Sequence, residues 1–194
     1  QVAYVNVEDL IQELEDVFTE FPDRIFRVGT GEIADSLALD FLIPYSQFLI
    51  PFFNRQKNAV LELKTKSDCV ENLLKQPDPT NVIVSWSINP QQVIDREEKG
   101  TPNLEKRLHA ASLCVEKGYR VGFHLDPIIL IPGWEKAYRE LIDVLFDFIT
   151  ASSIEWVSLG SFRFRSSLKS IIKSRHPETM LFTGEHLPSK DGKF

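Results

Sequence analysis

Residues 24–32, RIFRVGTGE, join a short strand-like run to a glycine-rich turn that ends in a glutamate. Residues 24–28 predict a β-strand, and Asp35 and Ser36 can cap a helix predicted over residues 36–41. Glycines let the backbone turn sharply and come close to a ligand. Ligands bind at the carboxyl ends of parallel strands, where a carboxylate at Glu32 would suit an ammonium group. An ordinary tight turn explains the same residues, so the motif alone leaves both interpretations open.

The order of strand, turn and helix repeats along the chain. Strand-like runs lie at residues 24–28, 59–64, 81–87, 120–125 and 155–160, and each is followed by a polar turn and a helical pattern. Parallel strands need crossover connections, so this order predicts a sequential parallel sheet with helices outside it. Two long helices are expected, one between residues 101–103 and Gly118 and one over residues 134–148. Pro44 and Pro51 predict that the first helical region divides into two short helices.

Composition limits the class of protein. The 194 residues, 43% of them hydrophobic, suffice for one well-filled core, so residues 1–194 are predicted to form a single domain. The sequence contains no signal peptide and no long apolar run, which predicts a cytoplasmic protein without a membrane partner. A net charge of −6 argues against nucleic acid bound over the whole surface but allows a local basic patch. Cys69 and Cys114, each in a helix-like stretch, are too far apart for a CxxC metal site and are interpreted as buried thiols.

The beginning of the chain differs from a complete βα repeat. A helical pattern over residues 7–18 precedes the first strand, and residues 188–194 end without a structural reason. We therefore expect a piece of a longer polypeptide, in which a sixth βα unit precedes the five visible here.

A series of short motifs runs along nearly the whole chain. They are residues 4–9 (YVNVED), 29–32 (GTGE), 63–68 (LKTKSD), 84–89 (VSWSIN), 100–101 (GT), 107–108 (RL), 118–123 (GYRVGF), 126–128 (DPI), 133–134 (GW) and 162–164 (FRF). In their order and spacing these motifs resemble the spore photoproduct lyase family of the radical S-adenosylmethionine superfamily. The resemblance implies an α/β fold, a partial (β/α)6 TIM-like barrel of the radical S-adenosylmethionine type with the first βα unit missing.

The resemblance also implies an activity. In an intact parent, reductive cleavage of S-adenosylmethionine on a [4Fe-4S] cluster would give an adenosyl radical that abstracts hydrogen from a pyrimidine dimer. Damaged DNA and a reducing electron donor are the implied partners. The family holds the cluster with three closely spaced cysteines, which this chain lacks, so the fragment itself is expected to be inactive. A hydrogen-donating cysteine of the family is replaced here by Gly29-Thr30-Gly31, which implies another donor or another substrate.

The implied cofactor residues follow predicted strands. They are Gly29, Thr30, Gly31, Glu32, Lys66, Ser87 and Asp126. By resemblance, Glu32 accepts a hydrogen bond from the cofactor ammonium, Lys66 meets its carboxylate and Ser87 contacts the ribose. By the same resemblance, Asp126 lines the cavity of the barrel. The alternatives are that Lys66 is a solvated lysine, that Ser87 caps the next helix and that Asp126 is an ordinary turn residue.

Residues 161–175, here called the basic segment, contain five basic side chains and no acidic one. Arg163, Arg165 and Lys169 are the predicted DNA contacts, since basic side chains pair with phosphates. By resemblance, Arg163 faces the cavity. A solvated basic helix face is the alternative. His124, in an apolar strand, is interpreted as a hydrogen-bonded, sheet-facing histidine rather than a proton donor.

Two other functions remain open at this point. One is a radical enzyme of the same superfamily with a different substrate, and the other is a non-catalytic nucleic-acid-binding or scaffold module. A three-cysteine loop upstream of Gln1 would favour an enzyme, and its absence would favour the scaffold.

Overall fold

A computed structural model describes residues 6–32, 34–77 and 79–187. Part of the first motif (residues 4 and 5) and the terminal stretch 188–194 lie outside these ranges. All strand pairs of the described sheet are parallel, in the sequential order β1 to β5, which confirms the predicted architecture. The strands are β1 (Phe26–Thr30), β2 (Ala59–Thr65), β3 (Val82–Ser87), β4 (Arg120–Ile128) and β5 (Ile154–Ser161).

Seven α-helices accompany the sheet within the described ranges. They are α1 (Val7–Glu20), α2 (Tyr45–Asn54), α3 (Glu71–Leu74), α4 (Gln91–Glu97), α5 (Leu104–Lys117), α6 (Trp134–Phe148) and α7 (Ser166–Arg175). Helices α2 and α5 contact the strands of the sheet directly. The two long helices predicted from periodicity are α5 and α6. At the start of α5 the Asn103 side chain accepts a hydrogen bond from Lys106 N, and Gly118 ends the helix in the left-handed conformation at φ 103°.

The sheet has an apolar face and a polar face because successive strand residues point to opposite sides. Leu61, Val84 and Phe123 belong to the core that packs against the helices. The other face curls into a half-barrel. Arg27 of β1 and Trp156 of β5, on the first and last strands, meet across it with the guanidinium carbon 5.0 Å from the ring centre.

The helix predicted over residues 36–41 is wrong, because these residues form consecutive turns. Asp35 does accept hydrogen bonds from Leu37 N and Ala38 N, as a helix cap would. The following bonds, such as Asp40 N to Leu37 O, have turn spacing. Pro44 disfavours helical backbone at the preceding residue and leaves no room for a longer helix.

The division of the next region at Pro51 is also wrong, since α2 continues through it. Leu49, Ile50, Phe52 and Phe53 of α2 are all buried, and this packing stabilises a helix that proline alone would interrupt. Cys69 lies in the loop before α3 rather than in a helix, and its thiol is half-buried rather than buried, whereas Cys114 is buried as predicted.

Helix α1 lies beside the first strand. Phe18 is 4% exposed, and its ring centre is 5.2 Å from that of Phe26 and 5.9 Å from that of Phe53. The Asn58 side chain donates to Phe18 O over 3.1 Å. Among the described helices, none combines the length and the hydropathy that a membrane crossing requires.

Candidate functional site

The turn after β1 requires glycine at residue 31. Gly31 has φ +95°, and a Cβ at this position would lie 2.3 Å from Lys64 O of β2 and 2.8 Å from Ser36 Oγ. Ser36 N donates to the same carbonyl over 3.2 Å. The glycine therefore lets the turn press against the end of the neighbouring strand.

Asp35 fastens the turn to β2. One carboxylate oxygen accepts a hydrogen bond from Thr65 Oγ1 (2.7 Å), and the other accepts one from Lys66 N (2.6 Å). Together with the two backbone bonds described above, Asp35 joins the segments that follow β1 and β2. It therefore fixes the position from which the Lys66 side chain departs.

Four of the predicted cofactor residues come together at the carboxyl ends of β1, β2 and β3. Gly31, Glu32, Lys66 and Ser87 line one cavity of about 270 Å³, here called the strand-end cavity. Its other lining residues are Ala34, Asp35, Lys64 and Thr65. This arrangement places two acids, two lysines and two hydroxyls around a space open to a small ligand.

The other three predicted residues lie elsewhere. Gly29 faces the interior of the half-barrel, where a Cβ would be 3.8 Å from Glu62 Oε2. The Thr30 hydroxyl points the other way, 2.7 Å from Ser36 Oγ. Asp126 does not line the strand-end cavity but lies against Gly160 of β5, where a Cβ would be 2.3 Å from its carboxylate. Whether these residues contact a cofactor stays a prediction.

The two charged residues predicted to bind the ends of the cofactor's amino-acid part, Glu32 and Lys66, differ in their surroundings. Glu32 is 78% exposed, and its Oε1 lies 3.6 Å from Lys64 Nζ, a loose ion pair. Lys66 Nζ lies 3.0 Å from Oε1 of Glu98, a buried carboxylate in the segment after α4. The carboxylate of Glu32 is therefore accessible, whereas the ammonium of Lys66 already has a partner.

A fully buried arginine, Arg107, holds the Glu98 carboxylate in place. The Arg107 Nη1 lies 2.7 Å from Glu98 Oε2 and donates to the Ser87 carbonyl over 2.9 Å. Burial alone would raise the pKa of Glu98, but the charges of Lys66 and Arg107 and a hydrogen bond from Asn89 outweigh it and hold that pKa below its usual value.

The sequence prediction missed Glu98 and assigned no role to Arg107. One signal for the arginine exists: it falls three residues after Leu104 and one before Leu108, on the apolar face of α5. A charged side chain at such a position needs a buried partner.

A second polar network lies on the interior of the half-barrel. Glu62 Oε1 accepts a hydrogen bond from Ser85 Oγ and lies 2.8 Å from His124 Nε2. The other ring nitrogen of His124 is 2.5 Å from Ser158 Oγ. Arg27 Nε lies 3.5 Å from Glu62 Oε2. Both ring nitrogens of His124 are thus hydrogen-bonded, as the sequence predicted for a sheet-facing histidine.

The environment of Glu62 favours the charged form. Burial opposes ionisation, but the hydrogen bonds from His124 and Ser85 and the nearby charge of Arg27 outweigh it and lower the pKa of Glu62 below its usual value. Glu62 stands between Leu61 and Leu63 in a buried strand, which is the only sequence signal for this site.

The basic segment lies at the surface, after β5. Arg163, Arg165 and Lys169 are exposed. Phe162 and Phe164 pack in a cluster with Phe182 and His186, and the Lys169 ammonium lies 5.6 Å from the Phe182 ring centre. The arginines therefore present their charges to solvent beside an aromatic cluster.

Comparison with known proteins identifies the family. The spore photoproduct lyase family model matches residues 2–194. The chain belongs to this family. The resemblance inferred from the motifs is thereby confirmed.

Curated members of the spore photoproduct lyase family share sequence with most of the chain. The chain is 29% identical over 186 residues to a spore photoproduct lyase of Geobacillus sp. (strain Y412MC61), covering 92% of this chain and 53% of the relative. It is 29% identical over 181 residues to that of Bacillus subtilis (strain 168), with the same coverage. The chain thus spans about half the length of the curated relatives it matches.

Solved structures of spore photoproduct lyase have the same fold. A mutant with bound AdoMet and dinucleoside spore photoproduct aligns with a TM-score of 0.87 and 27% identity, covering 98% of this chain and 58% of the other. A complex with dinucleoside spore photoproduct aligns with a TM-score of 0.84 and 28% identity, covering 91% and 53%. The five parallel strands are therefore a partial TIM-like barrel of the kind found in spore photoproduct lyases.

The described residues fit S-adenosylmethionine but do not fit the [4Fe-4S] cluster that the resemblance implies. The strand-end cavity offers a carboxylate, an ammonium and a hydroxyl, the groups that the amino-acid and ribose parts of S-adenosylmethionine require. Within the described ranges, no three ligand side chains converge as a metal site. Burial raises the pKa of the Cys114 thiol to about 12, so this sulfur is a poor metal ligand.

Proposed function

We propose that this chain forms part of a longer radical S-adenosylmethionine enzyme that repairs pyrimidine dimers in DNA. The observation that carries the proposal is the fold match to a spore photoproduct lyase with bound AdoMet and dinucleoside spore photoproduct. The acid, the ammonium and the hydroxyl that converge in the strand-end cavity support it. We propose that residues 1–194 act as one domain of that enzyme.

The strand-end cavity is the proposed cofactor site. Glu32 accepts a hydrogen bond from the methionine ammonium, Lys66 binds the carboxylate and Ser87 contacts the ribose, while Gly31 permits close approach of the backbone. Gly29, Thr30 and Asp126 remain further candidates. When bound and reduced, S-adenosylmethionine supplies a 5′-deoxyadenosyl radical for hydrogen abstraction. The [4Fe-4S] cluster would be held by three cysteines outside this chain, and the chain alone is expected to be inactive.

Damaged DNA is the proposed substrate, and a reducing electron donor is the proposed second partner. Arg163, Arg165 and Lys169 would pair with phosphates, which supply most sequence-independent affinity. A lesion must leave the duplex to reach a barrel interior, and this costs less where the duplex is already distorted. Arg163 is proposed to face the lesion, so its loss should reduce binding to damaged duplex more than binding to intact duplex.

A second candidate is a radical S-adenosylmethionine enzyme with another substrate. Gly29-Thr30-Gly31 carries no thiol where spore photoproduct lyases of the spore-forming type have a hydrogen-donating cysteine. Among the described residues that line the strand-end cavity there is no cysteine. This candidate keeps the cofactor site and changes only the source of the returned hydrogen or the lesion.

Product analysis separates the candidates. The full-length protein carrying this chain, with its cluster reconstituted, is incubated with S-adenosylmethionine, a reductant and dinucleoside spore photoproduct, and the products are identified by mass spectrometry. We expect separated thymidines. Cleavage of S-adenosylmethionine without repair would favour the second candidate. An intact cofactor after reduction would contradict both and favour a non-catalytic scaffold.

A further inference from the structure

Lys66 is held in place before any ligand binds. Its Nζ lies 3.0 Å from Glu98 Oε1, and the side chains are 39% and 7% exposed. A lysine ammonium has three donors, so this bond leaves two for a ligand in the strand-end cavity. The long side chain would otherwise sample many rotamers, including ones directed away from the cavity.

The Glu98 carboxylate is itself fixed by several groups. Asn89 Nδ2 donates to its Oε1 over 2.9 Å, and the Asn89 oxygen accepts a hydrogen bond from Tyr138 Oη over 2.7 Å. Its Oε2 forms the 2.7 Å ion pair with Arg107. The Arg107 guanidinium also donates to Pro102 O and Thr101 Oγ1, which prevents it from turning. A carboxylate held in this way gives Lys66 a defined position.

The charges of this cluster leave Lys66 able to bind an anion. The negative charge of Glu98 is balanced by the buried positive charge of Arg107, so the charge of Lys66 is not cancelled. Arg107 also donates to the Ser87 carbonyl, so one guanidinium fixes both Lys66, through Glu98, and Ser87. These are two of the residues that line the strand-end cavity.

We propose that Glu98 is a positioning residue that orders the Lys66 ammonium for the carboxylate of an amino-acid-bearing cofactor. The inference rests on the proposed function, because it assumes that S-adenosylmethionine occupies the strand-end cavity. Glu98 makes no contact with the ligand. Glu98 restricts the Lys66 side chain before the ligand arrives, so less conformational entropy is lost when the ligand binds.

The sign of the effect separates this role from a simple charge effect. Glu98→Gln removes a negative charge near the cavity, and electrostatics alone predicts tighter binding of a carboxylate. Loss of positioning predicts weaker binding. Ordering one flexible side chain changes affinity by about three- to tenfold, which is the expected loss.

The test is a calorimetric titration of the full-length protein with two ligands. S-adenosylmethionine carries the carboxylate, whereas 5′-methylthioadenosine has the nucleoside without the amino-acid part. Glu98→Gln should weaken S-adenosylmethionine about three- to tenfold and leave 5′-methylthioadenosine unchanged. Glu105→Gln, an exposed acid at the start of the same helix α5, should change neither. In a Lys66→Met background, Glu98→Gln should have no further effect.

Several results would overturn the inference. They are unchanged or tighter S-adenosylmethionine binding by Glu98→Gln, or an equal loss for both ligands, which would indicate a general structural defect. If Glu98→Gln does not fold, Glu98→Asp keeps the charge that Arg107 needs and withdraws the carboxylate from Lys66. This variant should show the same ligand-selective loss, and its absence would contradict positioning. A wild-type protein that binds no S-adenosylmethionine would overturn the proposed function together with the inference.

Discussion

Gly31→Ala tests whether the turn after β1 depends on its close approach to β2. The substitution imposes two costs. A side chain at φ +95° costs about 1–2 kcal/mol. The new Cβ would also lie 2.3 Å from Lys64 O, well inside the 3.0 Å that real Cβ atoms keep, and such overpacking costs about 1–3 kcal/mol. We therefore expect a loss of about 2–5 kcal/mol in the free energy of unfolding.

Two other glycines provide matched controls for this variant. Gly100 has φ +82° with no atom within 4 Å of a new Cβ, so Gly100→Ala should lose only the conformational cost of about 1–2 kcal/mol. Gly29→Ala places its Cβ at an ordinary 3.8 Å contact and should be close to neutral. Urea denaturation of the three variants measures the differences. If Gly31→Ala is no less stable than Gly100→Ala, the close packing of the turn against Lys64 is refuted.

Three further predictions concern acid stability, thiol reactivity and DNA binding. The pKa of Glu62 is lowered on folding, so its stabilisation is present above the unfolded value of about 4.3 and is lost as the pH falls through the folded pKa. Glu62→Gln should therefore lose stability less steeply below about pH 4 than wild type, whereas the exposed-site variant Glu15→Gln should follow wild type; parallel acid unfolding curves would contradict this. Iodoacetamide should label Cys69 and spare Cys114, which is buried with a pKa of about 12, and equal labelling of the native protein would contradict that assignment. Replacing the three predicted DNA contacts by alanine should lower the log–log salt slope of binding by up to about one unit per lost phosphate contact, and an unchanged slope would indicate an ordinary solvated surface. The control for charge is a triple alanine variant at the exposed residues Lys57, Lys75 and Lys117.

The sequence predicted the order and direction of the strands because their burial leaves a clear pattern. All six residues of β3 are buried, as expected for a central parallel strand covered on both faces. The boundaries were less accurate. Strand β4 runs three residues past the predicted end at Leu125, because pairing resumes between Ile128 and Ser161 after an irregularity. A proline at residue 127 had indicated a turn there.

The candidate site was predicted only in part, for a physical reason. Residues that follow strands, such as Glu32, Lys66 and Ser87, meet because parallel strands end at one edge of the sheet. The partners of these residues are set by long-range contacts that local patterns do not encode. Glu98 reaches Lys66 from 32 positions away in sequence, and Glu62 reaches His124 from 62 positions away. Glu98 looks like a solvated residue until the fold brings its partners to it, and Glu62 shows in the sequence only that it stands in a buried strand.

Binding of S-adenosylmethionine to the full-length protein tests the central claim most directly. Isothermal titration should detect saturable binding by wild type and a loss of about tenfold or more in Glu32→Ala, because a charge-assisted hydrogen bond to the ammonium is removed. Glu116→Ala, an exposed acid on α5, removes the same charge away from the strand-end cavity and should bind like wild type. Equal affinities for wild type, Glu32→Ala and Glu116→Ala would remove Glu32 from the site. No binding by wild type would contradict the account as a whole.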